Sequence, residues 1–290
     1  MSTEQFNSGD PFEGVCNSNP EPEGRKFKRI IALSDLHCGH LAGLTHPDWW
    51  YSFESNNDSV KAVYAQQQQM WNWYAETVQK YKPIDYLFAL GDLVDGKGTR
   101  SGGTELRTSD GNEQAEMAVK ALEIIEAKKT MITYGTPYHT GQDQDQEDVV
   151  ASLLPGHVEI SGHAFVAVNG LIFDLKHFIN GSSIPHGRWT PLAKSKLWNI
   201  VWNSEHELQP NSDIILRGHV HYSIEMADSD QWRAMTLPAL MGYGSKYGVR
   251  KCSGTVHIGF MIFDVYENGA YICKPEFLRL ELHRITPLEW

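Results

Sequence analysis

The sequence predicts a layered α/β fold that gathers its functional residues at the carboxyl edge of a sheet. Two observations lead there. The first half alternates short apolar runs with helical periodicity in a β-α-β-α-β series, and polar residues collect where each apolar run ends. The second half turns to shorter, alternating strands around one helix, so the two halves are unlike.

Residues 1 to 26 are rich in Asn, Ser, Gly, Pro and Glu and carry few apolar anchors. Such a stretch buries too little surface to offset the entropy of ordering it, so a flexible arm is expected there. A single domain is expected over 27 to 290. Phe27 to Leu33 reads as a buried strand feeding the polar loop Ser34-Asp35-Leu36-His37. Asp58 to Tyr81 places apolar residues at helical spacing and stops before Pro83. Ile84 to Leu90 is a second strand, running into Gly91-Asp92-Leu93-Val94-Asp95-Gly96. A helix over Glu113 to Lys129 follows, then a strand over Thr130 to Tyr134 and a loop from Gly135 to Asp145. The acidic residues Asp143 to Asp148 suit the first turn of a helix reaching Leu154, where negative charge favours the helix dipole. Beyond it, strands are expected near His157 to Ile160, Ala164 to Val168, Leu171 to Lys176, Asp213 to Leu216, Thr255 to Val265 and Ala270 to Cys273, with a helix around Pro191 to Trp202.

Composition narrows the function. With 290 residues and 41% apolar content the chain can bury a sizeable core. Its net charge of −11 opposes a broad nucleic-acid groove, although a divalent cation pair reverses the sign locally. The four cysteines, Cys16, Cys38, Cys252 and Cys273, lie too far apart in sequence for a zinc ribbon or redox dithiol. No apolar run reaches membrane-spanning length and no signal pattern opens the chain, so a cytoplasmic protein in a reducing compartment is expected.

Chemistry concentrates at the strand ends. Asp35 and His37 sit two apart after the first strand, so in an extended segment both side chains point the same way and can grip one ion. Asp92 and Asp95 hold the equivalent place after the second, where glycines at 91 and 96 permit a tight backbone and a carboxylate can bridge two cations. His219 and His221 repeat the two-apart spacing in Gly218-His219-Val220-His221, and imidazole suits zinc, iron or manganese.

In this order the motifs Asp35-Leu36-His37, Gly91-Asp92-Leu93-Val94-Asp95, a lone His177 and Gly218-His219-Val220-His221 resemble those of the calcineurin-like metallophosphoesterase superfamily, over about Ile30 to Tyr222. The resemblance implies a four-layer α/β/β/α sandwich of two mixed sheets flanked by helices. It implies a first cation on Asp35, His37 and His221, a second on His177 and His219, and Asp92 between them. Two divalent ions are expected, manganese first, with iron or zinc suiting the same ligands. The implied activity is hydrolysis of a phosphomonoester or phosphodiester by a metal-bridging hydroxide. His177 has no spacing check of its own, and His163 and His186 lie near it in sequence.

The chain departs from the family at the third motif, where Gly135-Thr136-Pro137-Tyr138-His139 stands in place of Gly-Asn-His. Two readings are open. His139 acts as general acid, oriented by Asp95, with Thr136 or a water replacing the Asn; or His139 is itself a ligand. Arg188, in a Gly- and Ser-rich stretch, and His40 are the expected substrate contacts. A phosphate ester is thus the expected partner, with nucleic acid not favoured. Two rival functions remain: a nuclease of the same superfamily, suggested by the Asp-x-His-x-Gly first motif, and a catalytically silent metal-binding protein, suggested by the altered third motif.

Overall fold

The computed structural model describes residues 26–50, 58–140, 145–206, 208–228, 231–243 and 255–280. Except for Lys26, the arm expected over 1 to 26 lies outside them, as does the tip of the acidic loop at 141–144.

Two mixed sheets organise the chain. The first has six strands in the order β11-β10-β1-β2-β3-β4. Its centre is β1 (Phe27–Leu33), β2 (Tyr86–Leu90) and β3 (Lys129–Thr133), paired in parallel with β4 (His157–Ser161) beyond them. Antiparallel β10 (Ile258–Tyr266) and β11 (Tyr271–Leu278) extend the other side. The second sheet runs β5-β6-β7-β9-β8, from β5 (Ala164–Val168), β6 (Leu171–Lys176), β7 (Ile214–Arg217), β9 (Trp232–Thr236) and β8 (Ile224–Asp228).

Alternation along the strands divides the apolar side chains between layers. Ile30, Ala32, Phe88 and Leu90 of the first sheet meet Phe173, Leu175, Ile214 and Leu216 of the second in one core between the sheets. Ile31, Leu33, Leu87 and Ala89 face the other way, onto Met70, Tyr74 and Val78 of α1 (Asp58–Tyr81) and Ala118 and Leu122 of α2 (Gly111–Glu123). α4 (Gln146–Leu153) adds Val150 to that layer. On the outer face of the second sheet, α5 (Thr190–His206) contributes Leu192 to a small cluster with Ile179, Ile215 and Ala234. Helices therefore cover both outer faces, giving the four layers.

Three differences from the sequence reading have physical causes. α2 ends at Glu123 rather than running to Lys129, because Glu126 takes a left-handed conformation (φ 55°) that closes the helix. The loop after β3 contains a single helical turn, α3 (Pro137–Thr140), which starts on its proline. The β8–β9 hairpin was not expected: β8 is an edge strand whose residues are half-buried or exposed, so no apolar run marks it. None of the described helices is long and apolar enough to cross a membrane.

Candidate metal centre

The parallel strands β1, β2 and β3 end side by side, and their loops are stitched together directly. Asp35 N–H donates to Gly91 O, His37 N–H to Asp92 O and Cys38 N–H to Leu93 O. From the second sheet, Gly218 N–H donates to His177 O and so joins the ends of β6 and β7. Glycines make this closeness feasible. A Cβ on Gly135 would stand 2.3 Å from Asp92 Oδ1, and one on Gly218 would stand 2.1 Å from Ser34 Oγ.

Among the described residues seven non-glycine positions have positive φ, and five of them are Asp35 (56°), His37 (46°), Asp92 (48°), His219 (73°) and His221 (54°). The expected extended geometry is therefore wrong for the Asp35/His37 pair. Each residue lies in the left-handed region, which turns the chain sharply enough to aim side chains of neighbouring loops at one point. Such backbone costs about 1–3 kcal/mol per residue and persists where surrounding structure imposes it, so its concentration here is itself a functional signal.

With His177, these residues form two of the three groups, among the described residues, whose potential ligand atoms lie within 4.8 Å of one another: Asp35, His37 and His221 in one, Asp92, His177 and His219 in another, while the third joins His37 to Asp95 and His139. In the first, His221 Nε2 lies 3.2 Å from Asp35 Oδ1 and 3.1 Å from His37 Nε2. Asp35 Oδ2 is held by the Ser34 hydroxyl at 2.6 Å and the His219 amide at 2.9 Å, while buried Oδ1 has no hydrogen bond. His37 Nδ1 lies 3.0 Å from Asp95 Oδ1; with its proton there, Nε2 turns a lone pair toward Asp35 and His221. Burial lowers the His37 pKa, with His139 adding to the effect, so the ring favours the neutral form that ligates.

In the second cluster, His177 Nδ1 donates to Leu90 O at 2.6 Å, and its buried Nε2 has no hydrogen-bond partner although Asp92 Oδ2 is 3.1 Å away. Burial acts to lower the His177 pKa, but the Asp92 and Asp35 carboxylates outweigh it and push it up to about 9. The Thr136 amide and hydroxyl reach Asp92 Oδ1 at 2.6 and 3.1 Å. Thr136 thus braces Asp92, a different task from the ligand role open to it in sequence. Buried carboxylate oxygens and imidazole nitrogens converging without donors between them are the arrangement a cation completes. The O- and N-donor set suits manganese, iron or zinc.

His139 stands beside the first cluster, its ring 4.5 Å from that of His37 and nearly perpendicular to it. Its Nδ1 donates to Asp95 O at 3.1 Å and lies 3.3 Å from Asp95 Oδ1, so one aspartate orients both rings. Burial opposes protonation of His139, yet the hydrogen bond to Asp95 and the charge of Asp92 raise its pKa above the ordinary value. His40, expected at the rim, is only 6% exposed, and its Nδ1 accepts the Ala42 amide, which makes it part of the loop's own scaffold. Arg188 places its guanidinium 4.2 Å over the ring of Tyr222, next in chain to His221. Neither competitor of His177 joins a cluster among the described residues: His163 pairs with Asp174 at 2.8 Å, and His186 is exposed.

Two residues escaped the sequence reading. Ser34 shares its hydroxyl between Asp35 Oδ2 and Leu90 O, a role that spacing alone does not reveal. Glu147 resembled an ordinary acid in a helix's first turn, but it is fully buried, neither carboxylate oxygen has a hydrogen bond, and burial followed by the nearby Asp92 charge pushes its pKa up to about 8.

No family model and no curated protein matches the chain. Among solved structures, Vps29 of Chaetomium thermophilum is 14% identical, over 88% of this chain and 97% of that one, with a TM-score of 0.41. A purple acid phosphatase from yellow lupin is 11% identical, over 89% of this chain and 52% of that one, with a TM-score of 0.49. A dimetal phosphatase of Danio rerio is 10% identical, over 86% of this chain and 95% of that one, with a TM-score of 0.41. Overlaps this loose establish no shared activity.

Proposed function

We propose that this chain is a metal-dependent phosphoric ester hydrolase of the calcineurin-like metallophosphoesterase superfamily, acting on a phosphomonoester or phosphodiester. The observation that carries the reading is the convergence of six Asp and His side chains, five of them on left-handed backbone, into two adjacent clusters with unpartnered buried ligand atoms. Asp35, His37 and His221 would hold one divalent cation, His177 and His219 a second, with Asp92 reaching both. Bound there, the cations supply Lewis acidity and offset the negative charge of the phosphate oxygens.

The remaining work belongs to the protein's own groups. Asp95 keeps His37 in the tautomer that turns Nε2 inward, and Thr136 fixes the Asp92 carboxylate. His139, its Nδ1 committed to Asp95, presents Nε2 and gives up a proton there to the departing alkoxide. Arg188 meets a phosphate oxygen of the substrate at the rim.

The test strips the protein with chelator, reloads it with manganese, and measures metal content and turnover of p-nitrophenyl phosphate and bis(p-nitrophenyl) phosphate. About two equivalents of metal and metal-restored hydrolysis of at least one ester are expected. Tight metal binding without hydrolysis of either ester would identify the silent protein instead. Failure to bind metal would overturn the reading altogether.

A further inference from the structure

A pocket of about 260 Å³ lies between α5 and the outer face of the second sheet. Along β6, Phe173 and Leu175 face the core between the sheets, so Asp174 and Lys176 point the other way; along β7, Ile214 and Leu216 face in and Arg217 out. Those three outward side chains form one side of the pocket. The other side is a single face of α5, where Ser195, Trp198, Asn199 and Trp202 stand three, four and seven residues apart.

The floor carries charge that neither the apolar core nor the metal centre uses. Asp174 is 1% exposed and Arg217 5%. His163 Nε2 lies 2.8 Å from Asp174 Oδ1, and Arg217 Nη1 donates to the same oxygen at 2.7 Å. Burial acts to raise the Asp174 pKa, but the His163 hydrogen bond and the Arg217 charge outweigh it, so the carboxylate stays ionised and fixes the guanidinium. All three hydrogen bonds of Arg217 leave from Nη1, to Asp174 Oδ1, Asp174 O and Leu216 O. Its Nε and Nη2 therefore make none among the described residues. Lys176 is exposed and has no ion pair among them. A buried ion pair seldom stabilises a fold more than apolar residues of the same size would, so its place at the bottom of a pocket points to a ligand.

Aromatic rings make the walls. Trp198, Trp202 and Phe178 line the same pocket and are 60%, 39% and 47% exposed. Such surfaces receive a planar ring at little cost in side-chain entropy. Phe178 also stands with its ring centroid 4.8 Å from that of His219, which sets the pocket directly behind the metal centre. Two cations and one carboxylate give the lining a charge of about +1 in a chain of −11, so one negative charge balances it and a phosphate dianion does not. The volume is below the roughly 300 Å³ at which pockets for drug-sized ligands begin, which suits a molecule of one or two rings.

We propose that this pocket binds a small planar aromatic acid, with its ring against Trp198 and Trp202 and its single carboxylate between the open side of the Arg217 fork and the Lys176 ammonium. The site is separate from the metal centre and stands whether or not the chain hydrolyses esters.

Calorimetric titration of the full chain, metal-loaded and chelator-treated, with benzoate, 2-naphthoate and indole-3-acetate tests this. One equivalent of at least one acid is expected to bind with a Kd below about 1 mM, equally well with and without metal. The neutral 2-naphthamide and the ring-free hexanoate are each expected to bind at least about tenfold more weakly than 2-naphthoate. Trp198→Ala weakens 2-naphthoate by at least about fivefold. Lys176→Gln weakens it by a similar factor and narrows the preference for acid over amide, which a merely structural lysine would leave unchanged. Both positions are exposed, and circular dichroism establishes that the variants fold. No saturable binding of any of the three acids overturns the proposal, as does binding indifferent to both substitutions. Equal affinity for acid and amide overturns the role given to Arg217 and Lys176. Binding that disappears with chelator places the carboxylate on the metal centre and likewise overturns it.

Discussion

The two halves of the candidate metal centre use the same side chains and differ in what holds them. In the cluster of Asp35, His37 and His221, nearly every orientation comes from short links between loop ends: Ser34 on Asp35, the His219 amide on Asp35, Asp95 on His37. In the cluster of Asp92, His177 and His219, Asp92 leans on the altered third-motif loop through Thr136, and His177 hangs from Leu90 O of the other sheet. The electrostatic outcome differs as well. Burial keeps His37 disposed to be neutral, whereas the ionised Asp92 and Asp35 beside His177 outweigh its burial and push the ring's pKa up to about 9. In the first half the ligating form of the histidine is already favoured, and in the second a cation has to displace a proton from His177.

The largest effects should come from the carboxylates that define the halves. Asp92→Asn removes the group common to both and is expected to lower kcat by about a thousandfold or more and to bring metal content below that of Asp35→Asn, which empties the first half alone. Equal metal loss in the two variants, read by elemental analysis, would dissolve the distinction between a shared and a private ligand. A smaller effect is expected at His139. His139→Gln should reduce kcat by about a hundredfold toward an alkyl phosphate but much less toward a p-nitrophenyl ester, whose leaving group needs no proton. An equal loss on both substrates would make His139 a ligand instead. The smallest and most discriminating effect is on metal affinity. Only a deprotonated Nε2 ligates, so the second half should bind manganese about tenfold more tightly for each unit that pH rises toward 9, while the first half changes less. Calorimetry in buffers of different ionisation enthalpy would register the released proton, and two pH-independent affinities would erase the contrast.

Legibility follows the same division. Asp35, His37, His219 and His221 were readable because pairs two apart after an apolar run are improbable as core or surface. The strands β1, β2, β5 and β6 and the helix α1 were readable because one period of hydrophobicity was unbroken. His177 was readable only through family resemblance, since its anchor is a carbonyl 87 residues away. Glu147 left no mark because an acid in a first helical turn looks the same whether solvated or buried. The left-handed backbone was hidden too: no local rule asks His37 or His221 to adopt it, and it arises from loops hydrogen-bonded across both sheets. At α5 the sequence located the helix but not its orientation, because Lys196 and Asn199 satisfy buried loop groups where apolar residues would be expected.

The left-handed candidate ligands bear on how this protein tolerates change. A position with positive φ is relaxed by glycine, which reaches that region without a Cβ penalty. At Asp35, His37, Asp92, His219 and His221 the substitution that eases the chain most is therefore one that erases the chemistry. On the proposed function, selection for thermal robustness and selection for turnover pull in opposite directions at these five places, and libraries screened for stability alone will drift toward inert variants by way of the candidate site.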